Sequence, residues 1–220
     1  NIEMLNLEYL PPETLALIVV FFNTNPNKIY KLSLSYLSPE AVATIAHLAL
    51  DSNRRSRVTW WCLSQLSIPA IEKAVPALQT EGYPVEHLGL DKLSPAALQK
   101  IVQVLSNPHC KITTLELGRL SADAIEVLAD ALGQPQCCVV TLDVERLSDE
   151  GVLALIKKLN SVQKTRAAKF MMYRENPDNG RISSAIDEFN GTSRIKLPST
   201  VNPKRGNAVT KNPSFGLQPD

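Results

Sequence analysis

The pattern apolar-x-x-Leu-x-Leu-x-x-Leu, or a close variant of it, occurs six times in this chain. The six instances are Ile2/Leu5/Leu7/Leu10, Ile29/Leu32/Leu34/Leu37, Val58/Trp61/Leu63/Leu66, Val85/Leu88/Leu90/Leu93, Ile112/Leu115/Leu117/Leu120 and Val139/Leu142/Val144/Leu147. Their starts are 27, 29, 27, 27 and 27 residues apart. A fixed period of this length means one supersecondary unit used again and again, each burying its apolar face against its neighbours. Behind the last Leu of each unit comes a second block of apolar or small residues, in the fifth unit Ala124, Ile125, Leu128, Ala129 and Leu132.

The two blocks have different periods. Leu-x-Leu alternation is the mark of a short strand with one buried face, and the i, i+1, i+4, i+5, i+8 spacing is one face of a helix. Each unit therefore reads as strand, turn, helix and return loop. Ser38, Ser67, Ser94, Ser121 and Ser148 follow the turn Leu, where a hydroxyl caps free backbone N–H groups. Pro39 and Pro95 fall at the first helical position, where a missing N–H costs nothing. Stacked units give a parallel sheet on one side and helices on the other. Strands pack about 4.8 Å apart and helices about 10 Å apart, so the stack is expected to curve with the sheet inside. The spacing Ala168/Met171/Tyr173/Asn176 predicts a degenerate seventh strand that closes the stack, with Met171 and Tyr173 in the buried positions.

On these residues the chain resembles the leucine-rich repeat proteins, in particular the ribonuclease-inhibitor-like class with a full helix in each repeat. The sixth unit, Leu142-Asp143-Val144 with Leu147 to Leu155, carries the likeness best. The resemblance implies an α/β fold: a curved solenoid of about six repeats of 27–29 residues, its parallel β-sheet on the concave side and its α-helices on the convex side. One departure stands out. Where the family has Asn or Cys three residues after the second strand Leu, this chain has Leu in all six units. The solenoid is expected over residues 1–176. Residues 177–220, with five of the fifteen Pro and four of the nine Gly, read as a polar, flexible tail or as a peptide ordered by a partner.

Charge excludes more than it suggests. With 23 basic and 22 acidic residues there is no field to draw the chain to nucleic acid or an anionic membrane. The longest apolar run, Leu15 to Phe22, is too short to cross a bilayer. Four Cys, three of them at 110, 137 and 138, fit neither a disulfide framework nor a paired zinc site. A reducing, cytoplasmic compartment follows as the expectation. Cys110 and Cys137 occupy equivalent places in successive units and are read as reduced, small buried residues, with a disulfide as the alternative. The first residue is Asn, which leaves open an upstream segment.

Residues alternating with the buried Leu should line the open face of the sheet. Its N-terminal half then offers Tyr9, Tyr36 and Trp60, and His87 faces the same groove. The C-terminal half offers Asp91, Glu116, Asp143 and Glu145, flanked by Arg119 and Arg146. Trp, Tyr and Arg dominate interface energies, so these ten residues form the candidate partner-binding set. Trp60 is the expected anchor, unless a local register shift exchanges it with Trp61. The carboxylates stand close enough to share a Ca²⁺ or to meet a basic partner, and Arg119 and Arg146 are equally placed to neutralise them; no metal site is assigned. Arg54, Arg55 and Arg57 in the return loop before the third unit read as a solvated charged loop.

No P-loop, G-x-G-x-x-G, H-E-x-x-H or G-x-S-x-G motif is present. Cys62, His87 and Asp91 match a nucleophile, base and orienter by residue type, but an open sheet supplies neither an oxyanion donor nor a sheltered pocket. The sequence therefore predicts no enzyme and no cofactor. It predicts a monomeric protein–protein interaction scaffold that binds a protein partner through the concave sheet. The resemblance extends to recognition modules of bacterial effectors, which act in the host cytosol. It extends also to regulatory solenoids such as GTPase-activating proteins and to the recognition module of a longer enzyme.

Overall fold

The serines that follow each turn are the local cause of the helices. The side-chain oxygens of Ser38, Ser67, Ser94, Ser121 and Ser148 each accept the backbone N–H three residues on, at 3.2, 3.4, 3.2, 3.3 and 3.1 Å. Each such cap is worth about 1 kcal/mol. The computed structural model describes residues 2–10, 14–24, 29–50, 58–80, 85–162, 171–174 and 180–192. Its elements run β1 (Ile2–Asn6), α1 (Leu15–Thr24), β2 (Ile29–Ser33), α2 (Pro39–Leu50), β3 (Trp60–Cys62), α3 (Ile68–Gln79) and β4 (His87–Leu90). They continue with α4 (Pro95–Leu105), β5 (Thr114–Leu117), α5 (Ala122–Leu132), β6 (Thr141–Asp143), α6 (Asp149–Val162), β7 (Met171–Tyr173) and α7 (Gly180–Thr192).

The strands form one sheet in the order β1-β2-β3-β4-β5-β6-β7, and every neighbouring pair is parallel. One side of the sheet is a continuous apolar ladder: Leu5, Leu32, Trp61, Leu88, Leu115, Leu142 and Met172 are partners in register, and all but Leu5 are fully buried. A second buried row runs through Leu7, Leu34, Leu63, Leu90, Leu117 and Val144. Successive helices pack on one another from α1 to α7. The Leu-x-Leu spacing is what places both rows under the helices, because side chains alternate along a strand.

The expected leucine-rich repeat solenoid of the ribonuclease-inhibitor-like class, six repeats closed by a degenerate strand, is corrected by this topology. The architecture is an all-parallel, singly wound α/β sheet in which seven strands alternate with seven helices. Its sequential order, without any doubling back, is the winding of a β/α barrel laid open: among the described residues β1 pairs only with β2 and β7 only with β6. The seventh unit is complete. α7 follows β7 and buries Ile182, Ile186 and Phe189, so packed structure continues past the boundary expected at 176. The register of β7 also differs by one residue from the expected one. Leu142 pairs with Met172, so Met172 is buried while Met171 and Tyr173 stand on the other face. A slip of one residue exchanges the faces, and the sequence of three apolar residues, Met171-Met172-Tyr173, does not mark which is inward.

The two edges of the sheet end differently. At β7, the Asn190 side chain on α7 accepts the Met172 N–H at 2.9 Å and donates to the Met172 carbonyl at 2.7 Å, replacing the next strand. At the other end α1 has no charged residue and leaves Leu17 and Val20 exposed. Among the described residues no helix is long and apolar enough to cross a membrane. Residues 193–220 and Arg54, Arg55, Arg57 and Asn176 lie outside the described residues.

Candidate functional site

The open face of the sheet is built by residues that alternate with the buried ladder. Lys31, Trp60, His87 and Thr114 are partners in register across β2 to β5. This assigns Trp60 to the open face and Trp61, with no exposed surface, to the core. The register shift that would have exchanged them is absent. Trp60 stacks on His87 with ring centroids 5.3 Å apart and meets the edge of Tyr30 at 5.9 Å. The Lys31 ammonium lies 3.9 Å from the centre of the Trp60 ring, a cation–π contact. The indole N–H of Trp60 is sealed from solvent and has no partner among the described residues.

Lys31 then reaches further. Its Nζ donates to Glu116 Oε2 at 3.1 Å, although β2 and β5 are three strands apart, roughly 14 Å of sheet at about 4.8 Å per strand. The reach is possible because Gly89 lies between them. A Cβ there would stand 2.7 Å from the Cys62 sulfur and 3.7 Å from Glu116 Oε2. The missing side chain leaves the room that the Cys62 thiol and the long ion pair occupy. The other Glu116 oxygen has Arg146 Nη1 at 3.9 Å, so one half-buried carboxylate serves two cations. Around this pair stand the last or penultimate residues of several strands, Ser33, Cys62, Glu116 and Asp143.

Asp91 and Asp143 are held differently. Asp91 Oδ1 accepts the Arg119 backbone N–H at 2.7 Å and Nε at 3.1 Å, and Oδ2 accepts Nη2 at 2.7 Å. Burial alone would raise this carboxyl, but the hydrogen bonds and charge of Arg119 outweigh it and hold Asp91 below its ordinary value. Gly118 makes the arrangement possible, since a Cβ at 118 would sit 2.3 Å from Asp91 Oδ1. Asp143 accepts the Tyr173 hydroxyl at 3.0 Å and the Glu145 backbone N–H at 2.9 Å. Its carboxyl is raised by burial, with Glu116 and Glu145 adding to the effect against those two hydrogen bonds.

The ten expected residues thus fall into separate groups. Trp60 and His87 stack together, and Glu116 with Arg146, Asp91 with Arg119, and Asp143 with the Glu145 backbone each form their own set. Tyr9 and Tyr36 stack at 4.3 Å on the turns. These turns repeat a strained conformation: Tyr9, Tyr36, Gln65 and Lys92 all have positive φ, 57°, 62°, 54° and 53°. The third column of the expected face is partly enclosed, since Ser35 and Asp91 are buried. The residues singled out from the sequence did not include Lys31, Tyr30 or Tyr173. The readable signal for Lys31 was Gly89, the small residue in an otherwise occupied column.

The Cys62–His87–Asp91 set is not assembled. Cys62 is partnered by Gly89 and not His87, and Asp91 is engaged by Arg119. Burial raises the Cys62 thiol, with Lys31 opposing it, so the thiolate is disfavoured. Burial also lowers the His87 imidazole below its usual value. Cys110 and Cys137 are buried and no disulfide joins them, and burial pushes the Cys110 thiol up to about 11. Among the described residues no group of three or more His, Cys, Asp or Glu side chains is placed to hold a metal ion.

The expected functions are corrected with the fold. A concave protein-binding scaffold, with its extensions to a bacterial effector, a GTPase-activating protein or a recognition module, required polar and aromatic side chains standing free in a groove. Here Asp91, Glu116, Asp143 and both Arg are engaged with one another or with neighbours across the sheet. The expectation of no enzyme is likewise withdrawn, since all-parallel β/α sheets carry catalytic and cofactor sites at the carboxyl ends of their strands, which is where Glu116, Asp143 and Cys62 lie. No family model matches the chain, and no curated protein matches it.

Proposed function

We propose that the chain is a small-molecule or cofactor-binding scaffold, whose open sheet face holds a planar aromatic anion of the nucleotide or flavin class. The observation that carries this reading is the continuity of Trp60, Lys31 and Glu116. An aromatic cluster of Trp60, His87 and Tyr30 adjoins two cations, Lys31 and Arg146, that share a single carboxylate. A flat ring finds stacking partners in the cluster, and Tyr30 is the most exposed of them. An anionic substituent finds Lys31 and Arg146 within one site, where a further negative charge balances the second cation. Small side chains at Ser33, Cys62 and Gly89 keep the approach shallow.

The residues thereby assigned to the site are Trp60, His87 and Glu116 from the expected set, with Arg146 at its margin, and Lys31 and Tyr30 beside them. Calorimetric titration of the full chain with flavin mononucleotide, and with riboflavin as the probe lacking the phosphate, tests this reading. Saturable binding is expected, weaker by about tenfold for riboflavin and by about tenfold for Trp60→Ala, which corresponds to about 1.4 kcal/mol each. Absence of saturation with flavin mononucleotide by about 1 mM, where the binding free energy would be only about 4 kcal/mol, refutes it.

A further inference from the structure

A second site, away from Trp60 and independent of the reading above, lies at the C-terminal edge. A cleft of about 170 Å³ opens between the end of β7 and one face of α7, lined by Tyr173, Arg174, Ser183, Ile186 and Asp187 among others. Ser183, Ile186, Asp187 and Asn190 share that face because they are spaced i, i+3, i+4 and i+7. Arg174 donates Nη1 to Asp149 at 2.7 Å, yet its buried Nε has no partner among the described residues. Asp187 is exposed at the other wall.

Arg174, held on one side by Asp149, and Asp187 line one cleft without pairing with each other, and two such opposite groups are complementary to a molecule that carries both charges. From this we propose that the cleft binds a small zwitterion of the α-amino-acid class, its carboxylate toward Arg174 and the Ser183 hydroxyl and its ammonium toward Asp187. Size narrows the class. Liquid water takes about 30 Å³ per molecule, so the cleft holds about six non-hydrogen atoms, and drug-sized ligands need about 300 Å³ or more. Glycine, alanine and serine fit, with Ile186 beside the side-chain end.

The fork chemistry explains why Arg rather than Lys stands at 174. One arm of a planar guanidinium is spent on Asp149, which fixes the group, and the remaining donors keep a defined direction. A lysine would keep the charge and the reach to Asp149 and lose that direction.

The test is ligand-observed NMR and calorimetry on the full chain with L-alanine, and with propionate and ethylamine as probes that each carry one of its two charges. Alanine is expected to bind saturably, with a dissociation constant of about 1 mM, within the limit for a ligand of six heavy atoms. Propionate and ethylamine are expected to bind at least about tenfold more weakly. Asp187→Asn, on the exposed wall, should weaken alanine by about tenfold and leave propionate unchanged. Arg174→Lys should weaken both alanine and propionate while circular dichroism confirms the fold. No saturation by alanine at about 10 mM overturns the proposal. Propionate binding as tightly as alanine overturns it too, since the site would then recognise an anion only. Loss of flavin binding at Trp60 has no bearing on either outcome.

Discussion

Replacing Gly118 by Ala should unfold the junction of β4 and β5 from inside the sheet. The added Cβ would stand 2.3 Å from Asp91 Oδ1 and 2.6 Å from both Asp91 Cβ and Cγ. The first of these is a movable end, but the second is fixed to the backbone, so the carboxylate must swing away or the strands must part. Swinging away abandons three hydrogen bonds to Arg119, at 2.7, 3.1 and 2.7 Å. A lost backbone hydrogen bond costs about 1 kcal/mol and a charge-assisted one about 1.5–3 kcal/mol. The Arg119 guanidinium is exposed and is left out of the cost, which rests on the charge-assisted bond from its backbone N–H to the buried Asp91 carboxylate: about 2 kcal/mol, or roughly 4–8 °C in melting temperature for a chain of this size. Chemical denaturation of Gly118→Ala, Asp91→Ala and the double variant measures it. Asp91→Ala keeps the Cβ that stands 2.6 Å from the new methyl but has already given up the bonds to Arg119, so that part of the cost is counted once and the two costs should be non-additive by about 2 kcal/mol. Additive costs, or a Gly118→Ala variant within about 0.5 kcal/mol of the parent, would refute this account of the packing.

Gly89→Ala meets only the Cys62 sulfur, the far end of a small side chain, at 2.7 Å; it should cost about 1 kcal/mol, and Cys62→Ala should relieve it in a denaturation series. Asn190→Ala removes both bonds to the Met172 backbone and bares the edge of β7, which should cost about 2–3 kcal/mol and promote concentration-dependent association visible by light scattering. Lys92 holds φ at 53°, so Lys92→Gly should be neutral or stabilising by up to about 1 kcal/mol by the same assay, as left-handed backbone is unfavourable for any residue with a Cβ. For pH, His87 has a lowered folded value, so the unfolded chain takes the proton first as pH falls below about 6.5. Stability should therefore decline as pH falls from 6.5 toward the folded value, and His87→Gln should flatten that limb of a pH series of denaturation midpoints.

The repeat made most of the backbone legible because its two periods are set by geometry alone: strand alternation placed Leu32, Trp61 and Leu88 in one row, and Ser after the turn marked five helix starts. β7 was misread by one residue because three consecutive apolar side chains carry no alternation, and α7 was assigned to a tail because Ile182, Ile186 and Phe189 are sparse among polar residues. The site was legible by column but not by contact. Asp91, Glu116 and Asp143 share one face, yet which cation each takes depends on reach and on absent side chains. Lys31 crosses three strands to Glu116 only because Gly89 leaves a gap, and Arg119 meets Asp91 only over Gly118. Fold class and function were misassigned together: the spacing of the Leu residues led to stacked strand–helix units with a parallel sheet, the expected curvature came from strand and helix packing distances, and the family resemblance supplied the repeat class and the binding role.

Amide and indole NMR of the full chain during titration with flavin mononucleotide tests the central claim most directly. The account predicts saturable shifts at the backbone amides of Lys31, Trp60, His87 and Glu116, and at one of the two indole N–H signals, that of Trp60, while the Trp61 indole in the core stays in place. Shifts confined to the helical side of the sheet, or no shift at either indole, would contradict it.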